Sequence, residues 1–149
     1  DYARENDLDL SKPISEIFSF KDTKSVEIIN DKIYISPLLF LAYKENPFKQ
    51  EVREYPVDFG YPSVEKINVS IEIPEGYVVE SLPAPINIAT GENVGSFVFN
   101  IASNANKIQT VVTSTINEAI VPSDFYPVLK GFYQQMIDKQ NEKIVLKKI

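Results

Sequence analysis

Asp7-Leu8-Asp9, with Glu5 and Ser11 close by, sets carboxylate and hydroxyl oxygens at a spacing that could ligate a hard cation such as Ca²⁺. It lacks the Gly and the distal Glu of a calcium loop and reads better as a solvated acidic segment. Arg53 and Glu54, followed by Asp58, could form an ion-pair cluster or clamp a carboxylate-bearing ligand, although charges on the polar face of a strand are ordinary. The carboxylate pairs Glu51/Glu54 and Glu72/Glu75 have no companion that suggests a hydrolase site. No Ser-x-x-Lys pattern sits in a convincing context, and the sequon Asn68-Val69-Ser70 falls within an expected strand. The chain has no His and no Cys, which excludes Ser-His-Asp and Cys-His catalysis, zinc sites of the usual kind and disulfides. No catalytic residue, metal ligand or cofactor site is expected. A carboxylate-only hydrolase is the weakest of the functions considered.

The most distinctive stretch is Tyr55-Pro56-Val57-Asp58-Phe59-Gly60-Tyr61-Pro62, where alternate positions are apolar or aromatic and two prolines restrict the backbone. Tyr55, Phe59 and Tyr61 could stack on a sugar ring or anchor a partner. The same alternation could instead point all three rings into a core.

These residues belong to a chain of 149 residues, 44% hydrophobic, with 10 Pro and 5 Gly, the size of one domain able to bury its own core without staples. Its net charge of −6 gives no basic field for nucleic acid or an anionic membrane. The longest apolar run, Pro37 to Tyr43, is far short of the ~20 residues that span a bilayer, so no transmembrane segment is expected. The opening residues Asp1-Tyr2-Ala3-Arg4 resemble neither an initiator nor a signal peptide, and the chain reads as a piece of a longer protein.

Strand signals run from about Ile14 to Ile120. Ile67, Val69, Ile71 and Ile73 alternate with polar residues, as in a half-buried antiparallel strand, and Pro74-Glu75-Gly76 should end it before Tyr77-Val78-Val79-Glu80 resumes. Val26–Ile29 and Lys32–Ile35 flank Asn30-Asp31, a loop suited to a hairpin; Phe97, Phe99 and Ile101 should form another with Ile108–Ile116. Phe125, Val128, Leu129, Phe132, Tyr133, Met136 and Ile137 follow helical stepping. Pro127 confines the N-cap to Asp124 or later, and Gly131 suggests the close approach of another backbone. Ile144-Val145-Leu146, flanked by lysines, reads as a short final strand at a sheet edge. The expected fold is mainly β: an antiparallel β-sandwich, immunoglobulin-like or related, with one C-terminal amphipathic helix at about 125–140 and a short final strand. Residues 1–20 are a lead-in segment or first strand following an upstream domain, and residues 21–149 one sandwich domain.

A combined signature runs through Ile33-Tyr34-Ile35-Ser36-Pro37-Leu38-Leu39-Phe40, Asn46-Pro47-Phe48, the Arg53–Pro62 stretch and Ile73-Pro74-Glu75-Gly76-Tyr77. It continues through Val79-Glu80-Ser81-Leu82-Pro83, Gly95-Ser96-Phe97, Asn106-Lys107-Ile108 and the closing Lys139–Leu146. In this it resembles the C-terminal domain of unknown function of bacterial transglutaminase-like proteins, which follows a β-rich domain and a papain-like core. The resemblance carries over no catalytic residue, because the family's Cys, His and Asp belong to the core domain. It implies a non-catalytic accessory domain that packs on or positions an upstream transglutaminase-like core of the same chain, in a periplasmic or cell-surface protein. The expected contact residues are Arg53, Tyr55, Phe59 and Tyr61, with Leu38, Leu39 and Phe40 next. The alternative is a glycan- or peptide-binding module using Tyr55, Phe59 and Tyr61.

Overall fold

The computed structural model describes residues 1–149. A separate two-stranded ribbon, β1 (Tyr2–Glu5) with β2 (Ser15–Phe18), comes first and joins neither of the larger sheets. The hairpin β3 (Val26–Ile29) and β4 (Lys32–Ile35) follows, and Asn30 supplies the positive φ of 54° that its two-residue loop requires. Next come β5 (Val57–Asp58), β6 (Ser63–Glu72), β7 (Tyr77–Ser81) and β8 (Ile86–Ala89). The long hairpin β9 (Gly95–Asn104) and β10 (Lys107–Ile116) is followed by β11 (Ile120–Val121), helix α1 (Tyr126–Asn141) and β12 (Ile144–Lys148). Two four-stranded antiparallel sheets result, in the orders β6-β10-β9-β8 and β3-β4-β12-β7. The short pair β5-β11 stands beside them.

The period-two pattern decides which side chains meet between the sheets. Ile67 and Val69 of β6, Phe97, Phe99 and Ile101 of β9 and Ile108 and Val112 of β10 share one core with Ile33, Ile35, Ile144 and Leu146. Gly76, at φ +82°, turns the chain after Ile73, and Tyr77 restarts it in the opposite sheet. Mainly β, with one C-terminal helix and a final strand, the fold agrees with the sequence expectation.

A short 3₁₀ turn over Ser123–Phe125 leads into α1, so the helical N-cap is Phe125 and Pro127 lies within the first turn, where no N–H is missed. The helix buries Leu129, Phe132, Met136 and Ile137, and its Phe132 and Met136 join the sandwich core. A second, smaller core gathers Phe48, Val57, Val94, Val121, Tyr126 and Leu129 at the N-terminal end of the helix. Hydrogen bonds strap the segment before β5 to α1: Asn46 Nδ2 donates to the Lys130 carbonyl (2.9 Å), and Tyr126 Oη donates to the Gln50 carbonyl (2.9 Å).

Two sequence expectations are corrected. The final strand β12 is internal, between β4 and β7, with Ile144 and Leu146 fully buried. Only its alternate, inward positions have to be apolar, so lysines beyond its apolar triplet are compatible with a central place. Gly131 has no close neighbour, since a Cβ there would meet nothing within 4 Å. The tight approach is at Gly95, where a Cβ would lie 3.1 Å from the Thr115 carbonyl oxygen and 3.2 Å from Ile116 Cδ1.

Candidate functional site

The apolar residues of the 53–62 segment divide between core and solvent. Val57 is buried in the smaller core and Phe59 packs against both cores, whereas Tyr55 and Tyr61 are 77% and 71% exposed. The reason is local: the strand lasts only two residues, and Gly60 at φ +80° redirects the chain before Tyr61. The three rings therefore form no common platform, and none of them takes part in the protein's ring-to-ring contacts. Arg53 is half-buried and donates from Nε to the Tyr55 carbonyl (3.0 Å), while Asp58 accepts from the Gly60 N–H (2.8 Å). The imagined Arg53–Glu54–Asp58 ion-pair cluster is thus replaced by turn-forming contacts. The neighbouring Glu51 pairs instead with Lys130 Nζ (2.8 Å), whose hydrogen bond and charge hold its carboxyl below the usual range.

Of the second group of expected contact residues, Leu38 is fully buried and serves the core, so it presents no surface to a partner. Leu39 is partly buried in a 3₁₀ turn, and Phe40 is 46% exposed. Phe40 meets the ring of Phe20 edge-on at 4.7 Å, and Phe20 stacks with Phe18 at 5.7 Å. Both of these phenylalanines are more than half exposed. Together with Val26 and Leu39 they line an open groove of about 440 Å³.

The apolar surface continues along β3. Val26 pairs with Ile35 and Ile28 with Ile33, and side chains directly opposite each other share a face, so Val26 and Ile28 lie on the core-facing side. Ile28 is nonetheless 69% exposed, because the opposite sheet does not reach over this edge strand. The lead-in to β3 is held by Ser25, which hydrogen-bonds Asp22 through its side chain and accepts the Ser36 N–H on its carbonyl (2.9 Å). The Ser25 hydroxyl and the Lys24 N–H keep the Asp22 carboxyl below its ordinary range. Sequence reasoning missed Phe18 and Phe20 by setting residues 1–20 aside as a lead-in. The alternation Phe18-Ser19-Phe20 was the signal that could have found them.

At Asp7-Leu8-Asp9, Asp9 accepts hydrogen bonds from the Ser11 N–H (3.1 Å) and hydroxyl (2.6 Å) and pairs with Lys12 at 3.2 Å. These partners lower its carboxyl pKa, the Ser11 hydroxyl most, and they make the site a capped turn in place of a cation loop. No group of three or more acidic, His or Cys side chains converges anywhere as a metal site. No helix is long and apolar enough to cross a membrane.

These features define a β-sandwich module with a helix against one part of its core and an uncovered apolar strip at one edge. The chain belongs to the family described as a domain of unknown function with solved structure, DUF3858, which matches residues 31–146. Among solved structures it is similar to a crystal structure of a Parabacteroides distasonis protein proposed to be a protease, with a TM-score of 0.56 and 14% identity. That similarity covers 66% of this chain and 19% of the other, so the matched fold is about a fifth of the length of that protein. It is a likeness of fold. No curated protein matches the chain.

Proposed function

We propose that this chain is an accessory domain that docks on a neighbouring domain of its own polypeptide, a transglutaminase-like core, and positions or shields it. The observation that carries this is the exposed strip Phe18-Phe20-Phe40 continued by Val26 and Ile28. Apolar surface of this kind marks a contact site. A neighbour in the same polypeptide is favoured because the strip lies largely ahead of residue 31, where the family match begins, and because the similar solved fold is a small part of a longer chain. The transglutaminase-like character of that neighbour, and placement in the periplasm or at the cell surface, rest on the sequence resemblance. Fractionation of the producing cells tests the location.

Docking is tested by calorimetric titration of this domain into the separately expressed upstream core. Micromolar binding, weakened at least tenfold by Phe20→Ser and Phe40→Ser in folded protein, is expected. Loss of binding in Tyr55→Ala or Tyr61→Ala but not in the phenylalanine variants would move the interface to the 53–62 segment. No binding by the unsubstituted domain overturns stable docking. The exposed Tyr55, beside an open groove of about 490 Å³ that also involves Arg53 and Glu54, keeps a second reading alive: a glycan- or peptide-binding module. Array binding that is lost in Tyr55→Ala would support it.

A further inference from the structure

A different feature lies where α1 meets the ends of β6 and β10. A small cavity of about 80 Å³ is lined there by Tyr43, Glu65, Ser114, Phe132, Tyr133 and Met136 among others, with no Lys or Arg in its wall. Two phenols and a carboxylate face this space. None of the three side chains takes part in the hydrogen bonds or ion pairs of the protein; Tyr43 is held through its backbone, its N–H donating to Gln140 Oε1 (2.9 Å) and its carbonyl accepting from Asn141 Nδ2 (2.8 Å). The Ser114 hydroxyl has only the sulfur of Met136, at 3.9 Å.

The walls are held in place before any ligand arrives. Tyr133 packs edge-on against Phe48 at 4.8 Å and Phe132 at 5.8 Å. Burial, then the neighbouring Tyr43 and Glu65, push its phenol up to about 12; burial and Glu65 raise that of Tyr43 as well. Both stay neutral at ordinary pH, with hydroxyl oxygens able to accept and ring faces that attract positive charge. Glu65 adds a full negative charge, and the chain as a whole carries −6. An anion is repelled here. A cavity of this size has room for more than one water and admits an ammonium head with its first methylenes.

We propose that this cavity binds a primary alkylammonium group, that of a lysine side chain or a free amine, with Glu65 as counter-charge and Tyr43 and Tyr133 as acceptors and ring walls. The strand that carries Glu65, β6, is hydrogen-bonded only to β10, so an extended lysine-bearing peptide finds free backbone groups along its other edge. The site stands independently of docking at the N-terminal strip.

Amide NMR of the whole chain, titrated with butylammonium chloride against 1-butanol and sodium chloride, tests it. Saturable shifts at Tyr43, Glu65, Ser114 and Tyr133, with a Kd of roughly 1–10 mM, are expected for the ammonium alone. Glu65→Gln, a change at an exposed position, should weaken binding at least fivefold with an otherwise native spectrum, and Tyr133→Phe should weaken it less. A lysine-containing pentapeptide with shifts running along β6 assigns the amine to a polypeptide; shifts confined to the cavity assign it to a free amine. Equal shifts with butanol, a response that does not saturate, or undiminished binding in folded Glu65→Gln overturns the proposal.

Discussion

Replacing Thr110 by Val should stabilise this protein. Thr110 is 1% exposed and lies on the inner face of β10, opposite Val69 and Ile101, and its hydroxyl oxygen has no hydrogen-bond partner. An unpaired buried hydroxyl costs about 1–3 kcal/mol of desolvation, and a methyl group of nearly the same size removes that cost. Some strain at the new methyl offsets part of the gain, leaving about 1–2 kcal/mol net. For a domain of this size that corresponds to a rise in Tm of roughly 3–6 °C. Thr110→Ser is the control: it keeps the hydroxyl, deletes a buried methyl and should cost about 1 kcal/mol. Urea denaturation of the three proteins, with the slope m unchanged, gives both differences. A Val variant no more stable than the parent would mean that the hydroxyl has a partner, a trapped water being the obvious one, and would refute the reasoning.

Leu146→Ala, in a fully buried central position of β12, should cost about 2–5 kcal/mol by urea denaturation. The glycines should respond in opposite ways on thermal melting: Gly131→Ala gains up to about 1 kcal/mol in open helical space, whereas Gly95→Ala loses about 1–3 kcal/mol against the Thr115 carbonyl. Because burial holds the Tyr133 phenol at about 12 in the folded protein against an ordinary 10.0, the folded state retains a proton that the unfolded chain gives up. The resulting stability is fully present below pH 10.0 and declines as pH rises from there towards about 12. Denaturation midpoints measured across that window should fall less steeply in Tyr133→Phe.

Much of the fold was legible because alternation is a local code: Ile67, Val69 and Ile71 announce their face without knowledge of what covers it, and Asn30-Asp31 and Pro74-Glu75-Gly76 carry their turns in their own chemistry. The place of β12 was not, since Lys-flanked Ile144-Val145-Leu146 looks the same at an edge as between two strands; its partners are set by residues 32–35 and 77–81. The 53–62 segment misled for a related reason. Its spacing promised one face, but Gly60 at positive φ cut the strand to Val57–Asp58 and sent Tyr61 to solvent. Of the candidate contact residues, Phe40 joins the apolar strip and Leu38 belongs to the core, a distinction that depends on which neighbours arrive from residues 18–26.

The insertion of β12 between β4 and β7 also sets the order of events during synthesis. Ile35 pairs with Ile144 and Leu146 with Val79, so the middle strand of one sheet is made after both of its neighbours. Until β12 leaves the ribosome, β4 and β7 face a gap one strand wide, each with an unpaired backbone edge and a row of apolar side chains. A nascent chain in that condition is sticky in the manner of any open sheet edge. A stop codon before Ile144 would freeze it there, and the truncated product should partition into inclusion bodies although it retains α1 and every strand of the β6-β10-β9-β8 sheet.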